Sequence, residues 1–80
     1  MDEKPLGQSV LEIMRTVLKQ PQLTLQAKRQ EVPQWDSLRH VELMFALEDA
    51  FGVEFTAEEL ALLDSGEAIA AVLVEKGHAA

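Results

Sequence analysis

The residues best suited to chemistry stand together at Asp36-Ser37-Leu38, with His40 three positions after the serine. Ser37 falls at the first position of a predicted helix, where its hydroxyl points to solvent beside unpaired backbone N–H groups and the positive end of the helix dipole. A phosphate ester on that hydroxyl is electrostatically favoured. The tripeptide therefore fits a modification site at Ser37 preceded by Asp36 as the helix cap, but it is a weak signal by itself, because Asp and Ser are common at helix starts.

The same segment contains the side-chain types of a hydrolase triad in Asp36, Ser37 and His40. Their order and spacing argue against catalysis, because a general base must approach the hydroxyl from a fixed direction and be oriented by a third group. The chain also lacks a Gly-x-Ser-x-Gly turn. We therefore predict no enzymatic activity, and we assign His40 to the boundary of the packed core and Trp35 to anchoring the preceding loop.

Helices on either side of a long loop must position this segment. The first is expected to begin at Ser9, with Glu12 completing a capping box, and to stop before Pro21. The second is expected to run from Asp36, its cap, through Phe51 to Gly52, a good left-handed terminator. Between them, residues 21–35 predict an ordered loop, which Leu23, Leu25 and Val32 pin to the core.

Two shorter helices follow. Thr56 with Glu59 forms another capping box and predicts a short third helix. The last helix is expected from Asp64 or Ser65 to Lys76 and Gly77. Because no strand pattern of real length is present, the sequence predicts an all-α fold, a small four-helix bundle of three main helices and one short one.

Length and composition narrow the class of protein. Eighty residues with 48% hydrophobic content predict one domain over residues 1–80, with flexible tails at 1–7 and 77–80. The apolar runs are far shorter than the roughly 18 residues of a membrane span, and the N-terminus has no secretory signal, so we expect a cytoplasmic monomer. With no cysteine, and no calcium-loop spacing among the acidic residues, no metal site is predicted.

The charge is concentrated in one part of the chain. The net charge is −7, and residues 36–67 contain nine acidic side chains with Arg39 as the only base. Such a chain would repel a phosphate backbone and would find little attraction at an anionic membrane surface. We therefore expect neither nucleic acid nor membrane among its partners.

The second helix has two apolar faces. Its predicted core face contains Leu43, Ala46, Leu47, Ala50 and Phe51, with Met44 at the margin. The opposite side contains an outer patch, which consists of Leu38, Val41 and Phe45 and is flanked by Glu42 and Asp49 on one edge and Glu48 on the other. Either the long loop or the third helix covers the outer patch, or the patch is an exposed binding surface with an acidic rim.

The segment from Trp35 to Leu43, followed by residues 46–55, resembles the phosphopantetheine attachment region of acyl carrier proteins. The likeness extends over nearly the whole chain. It implies that a phosphopantetheinyl transferase esterifies Ser37 with 4′-phosphopantetheine from coenzyme A, and that the arm then carries acyl groups as thioesters. It also implies that Asp36 helps to hold the metal ion of the transferase complex.

The resemblance further implies that partner enzymes recognise the second helix, which agrees with the position of the outer patch and its rim. The expected partners are an acyl- or aminoacyl-loading ligase and the acyltransferase or synthase enzymes of fatty acid or polyketide biosynthesis. Two alternatives stay open. One is an aminoacyl or peptidyl carrier that uses the same serine, and the other is an unmodified helical adaptor that binds a protein through the outer patch.

The chain departs from the common pattern beside the serine. Many carriers of the fatty-acid type read Gly-Ala-Asp-Ser-Leu followed by an acid, whereas residues 34–40 read Gln-Trp-Asp-Ser-Leu-Arg-His. Trp35 resembles free-standing carriers dedicated to one pathway, and Arg39 with His40 is expected to weaken the negative potential beside Ser37. We therefore expect a pathway-dedicated carrier whose partners tolerate a positive charge near the attachment point.

Overall fold

The computed structural model describes residues 5–77, which form four α-helices and one 3₁₀ turn and contain no β-strand. The elements are α1 (Leu6–Leu18), the 3₁₀ turn (Arg29–Glu31), α2 (Ser37–Phe51), α3 (Ala57–Leu62) and α4 (Gly66–Glu75). The predicted all-α four-helix bundle is therefore confirmed. Within the same residues, no helix is both long enough and apolar enough to cross a membrane.

The first helix begins earlier than predicted. Its cap is Pro5, and Ser9 lies inside the first turns, where its amide donates to the Pro5 carbonyl at 3.1 Å. The capping box at Ser9 is therefore wrong. Leu6 and Gly7, which were expected in a flexible tail, are the first residues of α1, and Leu6 is buried. Leu6 precedes Val10 by four positions, so it extends the apolar stripe of α1 by one turn. Of the other predicted tail residues, Gly77 is exposed and its amide donates to the Val74 carbonyl at 3.0 Å, whereas residues 1–4 and 78–80 lie outside the described part of the chain.

The predicted ends of the other helices are confirmed. Asp36 caps α2 by accepting the Arg39 amide at 2.8 Å, and Gly52 ends it with φ +65°, a conformation that favours glycine. Both hydrogen bonds of the Thr56 capping box are present at the start of α3. The Ser65 hydroxyl accepts the Ala68 amide at the start of α4.

The core lies between α1 and the two helices that pack against it, α2 and α4. Its fully buried side chains are Val10, Met14 and Leu18 of α1, Leu43, Met44 and Leu47 of α2, Leu63, and Ile69 and Leu73 of α4. Four residues of α1 are buried against this core, and of these Leu6 keeps the largest exposed area. Burial of this apolar surface is the main source of stability in so small a domain.

The core face of α2 is rotated from the predicted one. Ala50 is exposed and Phe51 is only half-buried, whereas Met44 and His40 are buried. The reason is that the end of the long loop and α3 cover the His40 and Met44 side of the helix, a packing arrangement that helical periodicity alone does not contain.

The long loop is ordered by contacts at both of its ends, as predicted. Leu23, Val32 and Trp35 are buried, and Leu25 is half-buried against the core. The Leu25 carbonyl accepts the Glu67 amide at 3.0 Å, so the loop lies against the start of α4. A Cβ at Gly66 would come within 2.8 Å of that carbonyl oxygen, which makes glycine necessary at this close approach.

An ion pair joins α3 to the end of α4. Lys76 Nζ lies 2.9 Å from Glu59 Oε1 and 5.7 Å from the centre of the Phe55 ring. The hydrogen bond from Lys76, followed by the one from the Thr56 amide, holds the pKa of Glu59 below its ordinary value. The carboxylate form is therefore favoured in the folded state.

We predict that Glu59→Gln reduces stability at neutral pH and that the difference from the wild type disappears in acid. A carboxyl whose native pKa is lowered stabilises the fold above its unfolded pKa, about 4.3 for glutamate, and loses that contribution as the pH falls through the lower native value. Urea unfolding at several pH values measures this difference. Glu58→Gln, on the exposed neighbour, is the control, and an equal pH response in the two variants would contradict the assignment.

Candidate functional site

Ser37 is the first residue of α2, and its side chain is exposed. The preceding Asp36 is also exposed, and its Oδ1 accepts the Arg39 amide. The capping bond fixes the start of the helix, and with it the direction of the Ser37 side chain. Ser37 and Asp36 are thus both reachable from solvent at the start of α2.

The structure adds a residue that the sequence analysis missed. Arg29, in the 3₁₀ turn of the loop, reaches the start of α2. Its Nη2 donates to Ser37 Oγ and its Nε donates to the Trp35 carbonyl, both at 3.4 Å. The separation of eight residues matches no periodicity, so no signal in the sequence pointed to this contact.

Arg29 therefore places a positive charge beside the serine that was not expected, whereas Arg39 and His40, from which it was expected, have other contacts. Arg39 Nη1 forms an ion pair with Glu42 Oε1 at 2.9 Å. This pair is partly exposed and joins residues three apart on α2, so it directs the Arg39 charge along the helix surface. His40 points into the fold.

His40 forms a hydrogen-bonded bridge at the centre of the site. Its Nδ1 accepts the indole N–H of Trp35 at 2.9 Å, and its Nε2 lies 2.8 Å from the Leu60 carbonyl. Because an indole can only donate and a carbonyl can only accept, the proton of the imidazole must be on Nε2. The predicted boundary position of His40 and the anchoring role of Trp35 are both confirmed, with 7% and 2% exposure respectively.

The outer patch is open. Leu38, Val41 and Phe45 are 68%, 46% and 65% exposed. The alternative in which the loop or α3 covers these residues is therefore wrong. Exposure of three large apolar side chains on one helix face is typical of a contact surface.

A groove between α2 and α3 continues the outer patch. Its volume is about 360 Å³, and Val41 and Phe45 form part of its wall. The other lining residues are Arg29, His40, Met44, Glu48, Phe55, Leu60 and Ala61. The patch and the groove form one mainly apolar surface next to the start of α2.

The three acidic residues at the rim have different surroundings. Glu42 is paired with Arg39, and Glu48 is half-buried and accepts the Phe55 amide at 2.8 Å. Asp49 is exposed and has no ion pair with another residue of the described range. Glu48 thus also fixes the connection between α2 and α3, and Asp49 is the rim carboxylate most available to a partner.

The comparison with known proteins gives no relative, since neither a protein-family model nor a curated protein matches the chain. Residues 5–77 also bring together no group of three or more histidine, aspartate or glutamate side chains able to hold a metal ion.

We predict that His40→Leu lowers the free energy of unfolding by about 1–3 kcal/mol, because it leaves the buried indole N–H of Trp35 and the Leu60 carbonyl without a partner. Trp35→Phe in both backgrounds gives a double-mutant cycle measured by urea unfolding. We expect a coupling energy of roughly 0.5–3 kcal/mol. Arg39→Ala, at a partly exposed position outside the core, is the control on the same helix. Additive effects of the two core substitutions would contradict the bridge.

Proposed function

We propose that the protein is a carrier of acyl groups, modified at Ser37 by 4′-phosphopantetheine. The observation that carries the proposal is the exposed Ser37 hydroxyl at the first residue of α2, within an Asp-Ser-Leu segment like that of acyl carrier proteins. The four-helix fold and the exposed apolar face of α2 support it. The protein itself performs no reaction in this proposal.

The attachment reaction requires a nucleophile that an enzyme can reach. Ser37 Oγ attacks the phosphorus of coenzyme A that bears the pantetheine, and a bond within the pyrophosphate breaks. Adenosine 3′,5′-bisphosphate leaves, and a base of the transferase takes the serine proton. Ser37 needs only to be exposed and fixed in direction, and Asp36 leaves one carboxylate oxygen for the metal ion of the transferase.

The outer patch serves, in this proposal, as the surface that partner enzymes bind. Leu38 directly follows the modified serine, and Val41 and Phe45 continue along the same face of α2. A partner that covers this face is brought to the base of the arm. Loading ligases, acyltransferases and synthases would therefore meet the arm and the apolar contacts together, with Asp49 at the edge to attract a basic partner.

We predict that the wild-type protein gains the mass of one phosphopantetheinyl group when it is incubated with coenzyme A, magnesium and a broad-specificity phosphopantetheinyl transferase. Ser37→Ala should abolish the gain without changing the helical circular dichroism, because the exposed hydroxyl contributes little to stability. Intact-mass spectrometry measures both. Modification of the alanine variant would show that the attachment site lies elsewhere.

The other serines of the chain provide internal controls. Ser65 caps α4 and Ser9 is half-buried in α1, so peptide mapping should find both unmodified. If the wild type gains no mass, the carrier proposal fails, and the exposed outer patch then favours the unmodified adaptor. Loading of the arm by amino-acid adenylates alone would favour the aminoacyl carrier.

We predict that Phe45→Ala weakens the interaction with partner enzymes and has little effect on the stability of the fold. The side chain is 65% exposed, so its removal should cost well under the roughly 3–5 kcal/mol of a core phenylalanine. Transfer of the arm by the transferase should nevertheless slow, measured as kcat/KM. Leu47→Ala, on the buried face, is the matched control and should cost about 2–5 kcal/mol. Unfolding by Phe45→Ala would contradict the assignment of a docking surface.

A further inference from the structure

Arg29 is held over the attachment serine by packed parts of the fold. Its backbone N–H donates to the Asp64 carbonyl at 2.7 Å, which fixes the 3₁₀ turn beside the start of α4. Its Nε is directed by the carbonyl of Trp35, a residue that is only 2% exposed. The guanidinium therefore lies next to Ser37 because its surroundings place it there.

The contacts of Arg29 leave much of its hydrogen-bonding capacity unused. The guanidinium has more N–H donors than the two that contact Trp35 and Ser37, and both contacts are longer than the usual range of about 2.7–3.2 Å. No carboxylate among residues 5–77 forms an ion pair with it. A partly buried cation with spare donors thus faces the hydroxyl.

Such a cation would stabilise a phosphodiester at Ser37. The phosphodiester would add a negative charge to the stretch of residues 36–67, which already contains nine acidic side chains and one base. That base, Arg39, is paired with Glu42. Arg29 is therefore the cation available to offset the new charge.

We propose that Arg29 binds the phosphodiester of the arm and sets the direction in which the arm leaves Ser37, an inference that rests on the proposed function. The unesterified oxygens would lie one phosphorus atom beyond the hydroxyl oxygen that Nη2 already contacts. The planar guanidinium matches two such oxygens at once. Arg29 also lines the groove between α2 and α3. The ion pair between its guanidinium and the phosphodiester would therefore hold the base of the arm on the side of α2 that faces the groove.

The first test uses the modified protein and ³¹P NMR. The variants are Arg29→Gln, Arg29→Lys and the control Arg39→Gln, each checked by intact mass and circular dichroism. We expect the transverse relaxation rate of the phosphodiester to fall by roughly a third in Arg29→Gln, as a rigid group becomes mobile. It should fall less in the lysine variant and stay unchanged in the control. Equal rates in all four proteins would overturn the proposal.

The second test needs no transferase. The wild-type chain and Arg29→Gln are each prepared with a phosphate group on Ser37 by genetic incorporation of phosphoserine, and the phosphate is titrated by ³¹P NMR. Because both proteins keep the start of α2, a guanidinium in contact should lower the second phosphate pKa, ordinarily about 6, by about half a unit or more in the wild type relative to Arg29→Gln. An unshifted titration would overturn the role of Arg29.

The two proposals fail in different ways. Absence of a mass gain in the wild type overturns the carrier function, and the phosphoserine titration then decides whether Arg29 binds a phosphate at this position. A normal mass gain with an unshifted titration and relaxation rates independent of Arg29 overturns this inference and leaves the carrier function intact.

Discussion

The His40 imidazole joins two segments, the long loop and α3, beside the start of α2 where Ser37 lies. On one side it accepts the indole N–H of Trp35, at the end of the long loop, and on the other it donates to the Leu60 carbonyl. Both partners need it, because the indole is buried and the Leu60 carbonyl is among the last of α3, which have no partner within the helix. With Trp35 held in this way, its carbonyl orients Arg29 and its chain leads directly into Asp36 and Ser37.

The apolar residues of α2 are buried on one side of the helix and exposed on the other. One side of the helix is enclosed by α1, the loop and α3, and this packing buries Leu43, Met44 and Leu47. Within residues 5–77 no element covers Leu38 and Phe45, and both side chains are exposed. Folding alone gives no benefit from large apolar side chains in water, and binding of a partner does. The exposed face and the neighbouring serine thus form one continuous surface, which in the proposed function would serve both docking and attachment.

The charged residues near this surface differ in their contacts. The acidic residues of the chain are concentrated after residue 35, yet several of them have structural roles, since Glu48 accepts the Phe55 amide and Glu59 binds both Lys76 and the Thr56 amide. The field that a partner encounters is therefore weaker near these residues than the net charge of −7 suggests. At Ser37 the nearest charged contact is the guanidinium of Arg29, which suits a site that would receive a phosphate.

The sequence by itself determined the features that depend on near neighbours in the chain. Asp36, Gly52 and Thr56 mark helix ends because capping depends on residues within one turn, and the period of 3.6 residues separated Phe45 from Leu47. The helix start predicted at Ser9 was wrong because a good capping residue can also lie inside a helix whose apolar stripe begins earlier, at Leu6. Only the tertiary structure decided that Ala50 is exposed, that His40 bridges Trp35 and α3, and that Arg29 meets Ser37. These contacts join segments that are distant or irregularly spaced in the chain, and they form only when the loop packs against α2 and α4.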